Sequence, residues 1–170
     1  MEQNKEQNKE QITTQEKWYQ ENKQNIQLNV DKLIQQIETH VDSQVSTKFQ
    51  PIDISLMDLH TIVYNCCTTK QGELKLYTNK HGHKVNVASL LYEYHTELLT
   101  NYLLEKLENF KNIDLEKLEF EKKKIKMKYD ILAKFLKQCF GYLDRYFVIY
   151  NKLSDLKTKS TQLYEKIILS

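Results

Sequence analysis

The residues able to do chemistry are few and poorly placed for it. His81 and His83 stand two apart, with His95 further along. Zinc would need further ligands at fixed spacing, and no nearby pair of thiolates supplies them, so the reading is solvated loop histidines and no metal. Cys66 and Cys67 are adjacent; on a helix they diverge by about 100° and cannot chelate as a pair. Cys66 falls on an apolar stripe and reads as a buried structural thiol. The three glycines are too far apart to form a phosphate-cradling loop. The run KKKIKMK, Lys122 to Lys128, follows Glu116, Glu119 and Glu121 at helical spacing. It reads as a solvated face laced with ion pairs. No catalytic residue and no cofactor is expected; the chain does not read as an enzyme.

Composition narrows the class further. The chain has 170 residues, of which 40% are hydrophobic and 28% charged, enough for one domain with a real core. Three glycines and one proline cannot supply the tight turns of a sandwich or barrel. Basic residues number 25 against 23 acids, a formal net charge of +2. That balance makes no case for nucleic acid or an anionic membrane. Arg145 is the only arginine, which argues further against phosphate recognition. An odd count of three cysteines suits a reducing compartment. No secretory or mitochondrial leader is legible at the N-terminus, and no apolar run approaches the roughly 18 residues that span a bilayer. The expectation is a cytoplasmic or nuclear protein with no membrane partner and no small-molecule substrate.

The elements that would position any site are helices. Residues 1–25, beginning with repeated EQNK, read as a low-complexity, largely disordered tail, with Trp18 and Tyr19 as a tether. Leu28, Val30, Leu33, Ile34, Ile37, Val41 and Val45 form the stripe of a first helix. After Pro51, Asp53 or Ser55 caps a second, running to about Thr69, with Leu59, Ile62, Val63 and Cys66 inward. Gly72 to Gly82 bracket a loop with one short extended piece. A third helix spans about 87–109, with Leu91, Tyr94, Leu98 and Tyr102 inward. A fourth carries Leu115, Leu118, Ile125 and Tyr129. A fifth carries Leu132, Phe135, Leu136, Cys139, Leu143 and Tyr146 and ends near Tyr150. A terminal helix occupies 151–170. The fold class is all-α: a helical bundle over 26–150 plus that last helix.

The second helix has more character than one packing face requires. At about 100° per residue its core residues fill one sector. Met57, His60 and Tyr64 fill the adjoining one, with Leu56 at the border. Methionine and tyrosine are enriched at docking surfaces. On the fifth helix, Tyr142 likewise flanks the core stripe. These two flanks either combine into one partner-binding patch or are buried within the domain.

The same segments carry a family resemblance. LMDLHTIVYNCCTT (Leu56 to Thr69) resembles the second helix of the cullin N-terminal domain, where a pattern like YMELYTHVYNYCT occurs. LLYEYHTELLTNYL (Leu90 to Leu103) is similar to the family's ELYKRLKEFLKNYL-type helix. AKFLKQCFGYLDRYFV (Ala133 to Val148) resembles the helix that ends in Tyr-Leu-Asn-Arg or Tyr-Met-Asp-Arg. The order of the three segments matches the first cullin repeat, over about residues 26–150. His60 stands where the family commonly has tyrosine, and Lys126 where it often has tryptophan.

The resemblance implies a five-helix bundle that binds a BTB/SCF-type adaptor of a ubiquitin ligase through its second and fifth helices. Residue by residue, the adaptor-facing positions would be Leu56, His60 and Tyr64, with Met57 beside them, and Tyr142 of the YLDR motif. Residues 151–170 resemble the start of a second repeat that lacks its stacking neighbour, and should be the least protected helix. The region that recruits the RING subunit has no counterpart in these residues, so the expectation is a scaffold module without a catalytic half. The alternative is a structural helical subunit of a larger assembly that has lost ligase function.

Overall fold

A computed structural model describes the backbone of residues 2–43, 48–68, 77–78, 84–110 and 114–168, with most side chains from Lys17 onward. The chain is all-α. In order, the elements are α1 (Glu2–Asp42), α2 (Leu56–Thr68), two-residue strands β1 (Tyr77–Thr78) and β2 (Lys84–Val85), α3 (Val87–Phe110) and α4 (Leu115–Cys139). A π-helical segment (Leu143–Val148) runs into the single turn α5 (Ile149–Asn151), and α6 (Leu156–Ile168) follows. The strands pair antiparallel, Tyr77 opposite Val85. Val45, Gly72, His81, Gly82 and His83 lie outside the described residues.

Local chemistry sets the helix starts. The Ser55 hydroxyl accepts the Asp58 N–H at 3.0 Å, and the Asn86 side-chain Oδ1 accepts the Ser89 N–H at 2.7 Å. In both the acceptor is a side chain, and each satisfies an otherwise orphaned donor in a first turn. Asp155 does the same for α6, taking the Lys157 and Thr158 N–H groups at 2.9 and 3.0 Å. Those backbone and hydroxyl bonds from Thr158 hold its carboxyl below the ordinary aspartate range.

Packing follows the 3.6-residue period, with instructive departures. On α1 the buried residues are Tyr19, Ile26, Val30, Leu33 and Ile37. Leu28, expected in that stripe, is 61% exposed, because two residues before Val30 is about 200° around the helix. Helix α1 is described back to Glu2, and among the described side chains Trp18 and Tyr19 pack against the core ahead of Ile26. Glutamate, glutamine and lysine are good helix formers, and a helix nucleated by packing propagates through them.

The expected boundary between a fourth and a fifth helix near residue 130 is not there: α4 runs unbroken to Cys139, and the chain breaks at Phe140. Beyond it, Leu143 and Val148 are buried five residues apart, the spacing of a π segment, while Tyr146 is exposed. The 3.6-residue period running through Cys139 and Leu143 places Tyr146 inside, and the five-residue step turns it out.

Helix α6 is integral to the bundle, packed against α3 and α4 through Leu156, Ser160, Tyr164 and Ile168. The Tyr129 hydroxyl donates to the Ser160 carbonyl at 2.7 Å, and the Tyr92 hydroxyl to that of Ser154 at 2.8 Å. The helix read as lacking a stacking neighbour has two.

The lysine run is also not uniformly solvated. Lys128 is buried and binds Glu38, with Asp42 at 2.8 Å; Lys124 meets Asp42 at 2.7 Å. Lys106 reaches Glu38 at 3.1 Å, and the Tyr102 hydroxyl donates to it at 2.8 Å. Burial alone would raise the Glu38 carboxyl, but the bonds from Lys128, Tyr102 and Lys106 overcome it and hold the group below its ordinary range. This network ties α1 to α3 and α4.

Candidate functional site

The expected docking residues arise on α2 and on the π segment. Once Leu59, Val63 and Cys66 are committed to the core, helical geometry turns the next sector outward. Met57 is 73% exposed and Tyr64 45% exposed, while Leu56 and His60 are half-buried. Tyr142, also half-buried, stands just before the π segment.

The fold brings three of the five together. The Tyr64 and Tyr142 rings meet edge to face, centroids 5.2 Å apart, a geometry favoured by the ring quadrupole. His60 joins them through Arg145, whose guanidinium lies 3.4 Å from His60 Nε2. A guanidinium only donates, so this contact requires Nε2 to act as acceptor. Arg145 Nε also donates to the Gly141 carbonyl at 3.4 Å. Leu56 and Met57 do not join the ring cluster. Leu56 instead lines a groove with Val41, Phe49 and Phe135.

Two residues outside the expected docking positions belong to the site: Arg145, and Tyr146, which is expected in the core but is exposed. Tyr146 packs on Tyr142, centroids 4.7 Å apart, and Arg145 bridges to α2. The 3.6-residue period places Tyr146 in the core, so no local signal marks it as a surface residue. Ile149, Tyr150 and Leu153 continue the exposed apolar side chains, Tyr150 at 87%. The π segment makes this possible by committing Leu143 and Val148 to the core and leaving the tyrosines outside.

Asp144 of the same motif has a different task. Its Oδ1 accepts the Leu156 N–H at 2.8 Å, fixing the start of α6 to the π segment. The YLDR residues thus divide into two surface groups, Tyr142 and Arg145, one core anchor, Leu143, and one structural tether.

Other chemically able groups are placed away from solvent. Burial pushes the Cys66, Cys67 and Cys139 thiols up to about 12, which leaves them protonated and unreactive. His95 is fully buried, and among the described residues neither ring nitrogen meets a hydrogen-bond partner. Burial first, then the Lys159 cation, lowers it to about 3. Among the described residues no group of three or more His, Cys, Asp and Glu is arranged to hold a metal. No described helix is long and apolar enough to cross a membrane.

Comparison of the chain with family models, with curated proteins and with solved structures finds no match.

Proposed function

We propose that the chain is a docking module, built like the first cullin repeat, that binds a BTB/SCF-type adaptor through α2 and the Tyr142–Tyr146 region. The observation that supports this reading is the meeting of His60, Tyr64 and Tyr142 from segments far apart in sequence, with Tyr64 exposed and Tyr146 extending the surface. Tyrosines packed ring against ring make rigid anchors that lose little side-chain entropy on binding. In this role Tyr64 and Tyr142 are the central anchors, Tyr146 and Met57 flank them, and Arg145 holds His60 in place.

The half-burial of Leu56, His60 and Tyr142 favours a second reading, in which the cluster is a seam of a structural bundle. One experiment separates the two. On the docking reading Tyr64→Ala and Tyr142→Ala each weaken capture of purified BTB-type adaptors by at least about thirtyfold, equivalent to about 2 kcal/mol, while the circular dichroism spectrum stays helical. Failure of every such adaptor to bind, with loss of fold in the double variant, would leave the structural reading.

A further inference from the structure

A second surface stands apart from the tyrosine cluster and shares only Leu56 with the expected docking residues. Between the C-terminal turns of α1, the connection at residues 48–56 and the outer face of α4 lies a groove of about 1230 Å³. Its floor is apolar: Val41, Phe49, Leu56, Ile131 and Phe135, each half-buried. Phe120 and Met127 stand exposed along one side.

The groove is held open by specific contacts. The Phe49 ring is fixed edge-on between His40 and Phe135, at 5.3 and 5.5 Å. The Gln36 side-chain amide donates to the Ile52 carbonyl at 2.6 Å and accepts its N–H at 2.8 Å. That two-way bond clamps the connecting loop to α1 beside Pro51.

Charge around the groove has one sign. Lys48, Lys123, Lys124 and Lys134 line it, and no aspartate or glutamate does among the described residues. Lys124 is paired with Asp42. Lys123 and Lys134 are exposed and meet no described carboxylate within ion-pair distance. On a chain of net charge +2, this is a local concentration rather than a general property.

Size and backbone chemistry define the occupant. The volume exceeds the roughly 300–1,000 Å³ of small-molecule pockets. It matches the whole volume of about three turns of helix, taken as a cylinder about 10 Å across. The long walls are helices whose backbone groups are already bonded internally, so an extended peptide finds no free edge to pair with; a helix brings its own backbone bonds.

We propose that this groove is a docking site for an acidic amphipathic helix of another protein. Its apolar side chains at i, i+3, i+4 and i+7 would lie on Phe49, Ile131 and Phe135, and its carboxylates would face Lys48, Lys123 and Lys134. This inference does not rest on the adaptor reading.

The test uses the full chain and two labelled synthetic helical peptides of about four turns. They share one leucine stripe and carry either glutamate or lysine on the flanks. Fluorescence anisotropy should show the glutamate peptide binding at least tenfold more tightly than the lysine peptide, with affinity falling as salt rises. The double change Lys123→Glu/Lys134→Glu should reverse that preference, and Met127→Asp should weaken the glutamate peptide about tenfold. Tyr64→Ala/Tyr142→Ala should leave groove binding intact. Equal binding of the two peptides, or charge reversal without effect, overturns the proposal. So does sedimentation showing a dimer that Met127→Asp dissolves, since the occupant would then be a second copy. Should Met127→Asp unfold the chain, the exposed lysine pair still decides.

Discussion

Among the described residues, His95 is the one whose burial is least compensated. In the unfolded chain an imidazole takes up a proton near pH 6.5; in the folded chain it does so only at about 3. Between those values the unfolded state binds more protons, so stability rises with pH across that window. It is fully present above about pH 6.5 and lost progressively toward pH 3. By pH 5 the loss amounts to about 2 kcal/mol. His95→Leu removes both the buried nitrogens and this linkage, and an apolar replacement of similar shape is neutral to stabilising. The urea midpoint of that variant should therefore change much less than that of the parent between pH 7 and pH 5. An equal slope in the two would show that another group carries the acid sensitivity. Lys128 is the second informative residue. Its stem is buried while its partners Glu38 and Asp42 are partly exposed, so Lys128→Ala should cost about 2 kcal/mol. Lys122, on the surface beside Glu119, should cost less than about 0.5 kcal/mol when truncated. Denaturant titration of the two variants checks the contrast.

Elements were legible where one periodicity governed them. The stripe of α3 gives Leu91, Tyr94, Leu98 and Tyr102, all buried, and the Ser55 cap starts α2 at its expected place. The misses share a cause: a signal that lies off the local period. Nothing in the spacing of Cys139, Leu143 and Tyr146 announces a five-residue step, so the π segment and the exposure of Tyr146 were hidden. The α2 flank was readable as a helical sector, but Arg145 reaching His60 depends on how two distant elements cross. Lys128 looked like its neighbours because its partners lie on α1, far back in the sequence. A further element-scale feature is the end of α5, where Lys152 adopts φ 53° and the Leu153 N–H reaches back to the Val148 carbonyl at 3.0 Å. That closing bond belongs to a left-handed cap, a conformation glycine adopts without the steric cost of a Cβ. Lys152→Gly should raise stability by about 1 kcal/mol, seen as a higher thermal midpoint with an unchanged spectrum.

At the scale of the whole molecule, α6 decides how many cooperative units there are. Asp144 fixes its start, Tyr92 and Tyr129 bond to its backbone, and Lys159 lies 3.5 Å over the Tyr92 ring. Contacts from three elements make the last helix part of the same unit as α3 and α4. Native-state hydrogen exchange should therefore show α6 amides protected to a degree comparable with α3, and both should open together as denaturant is added. Early, independent exchange of residues 156–168 would place α6 outside that unit.

The chain's only arginine happens to sit in the surface where His60, Tyr64, Tyr142 and Tyr146 gather. That position makes it a built-in footprinting probe. A dicarbonyl reagent selective for guanidinium groups has one target, and an arginine-specific protease has one bond to cut, at the carboxyl side of Arg145. Any molecule that covers this face should slow both reactions, and the mass spectrum of the intact chain would report it without a label, a tag or a mutation.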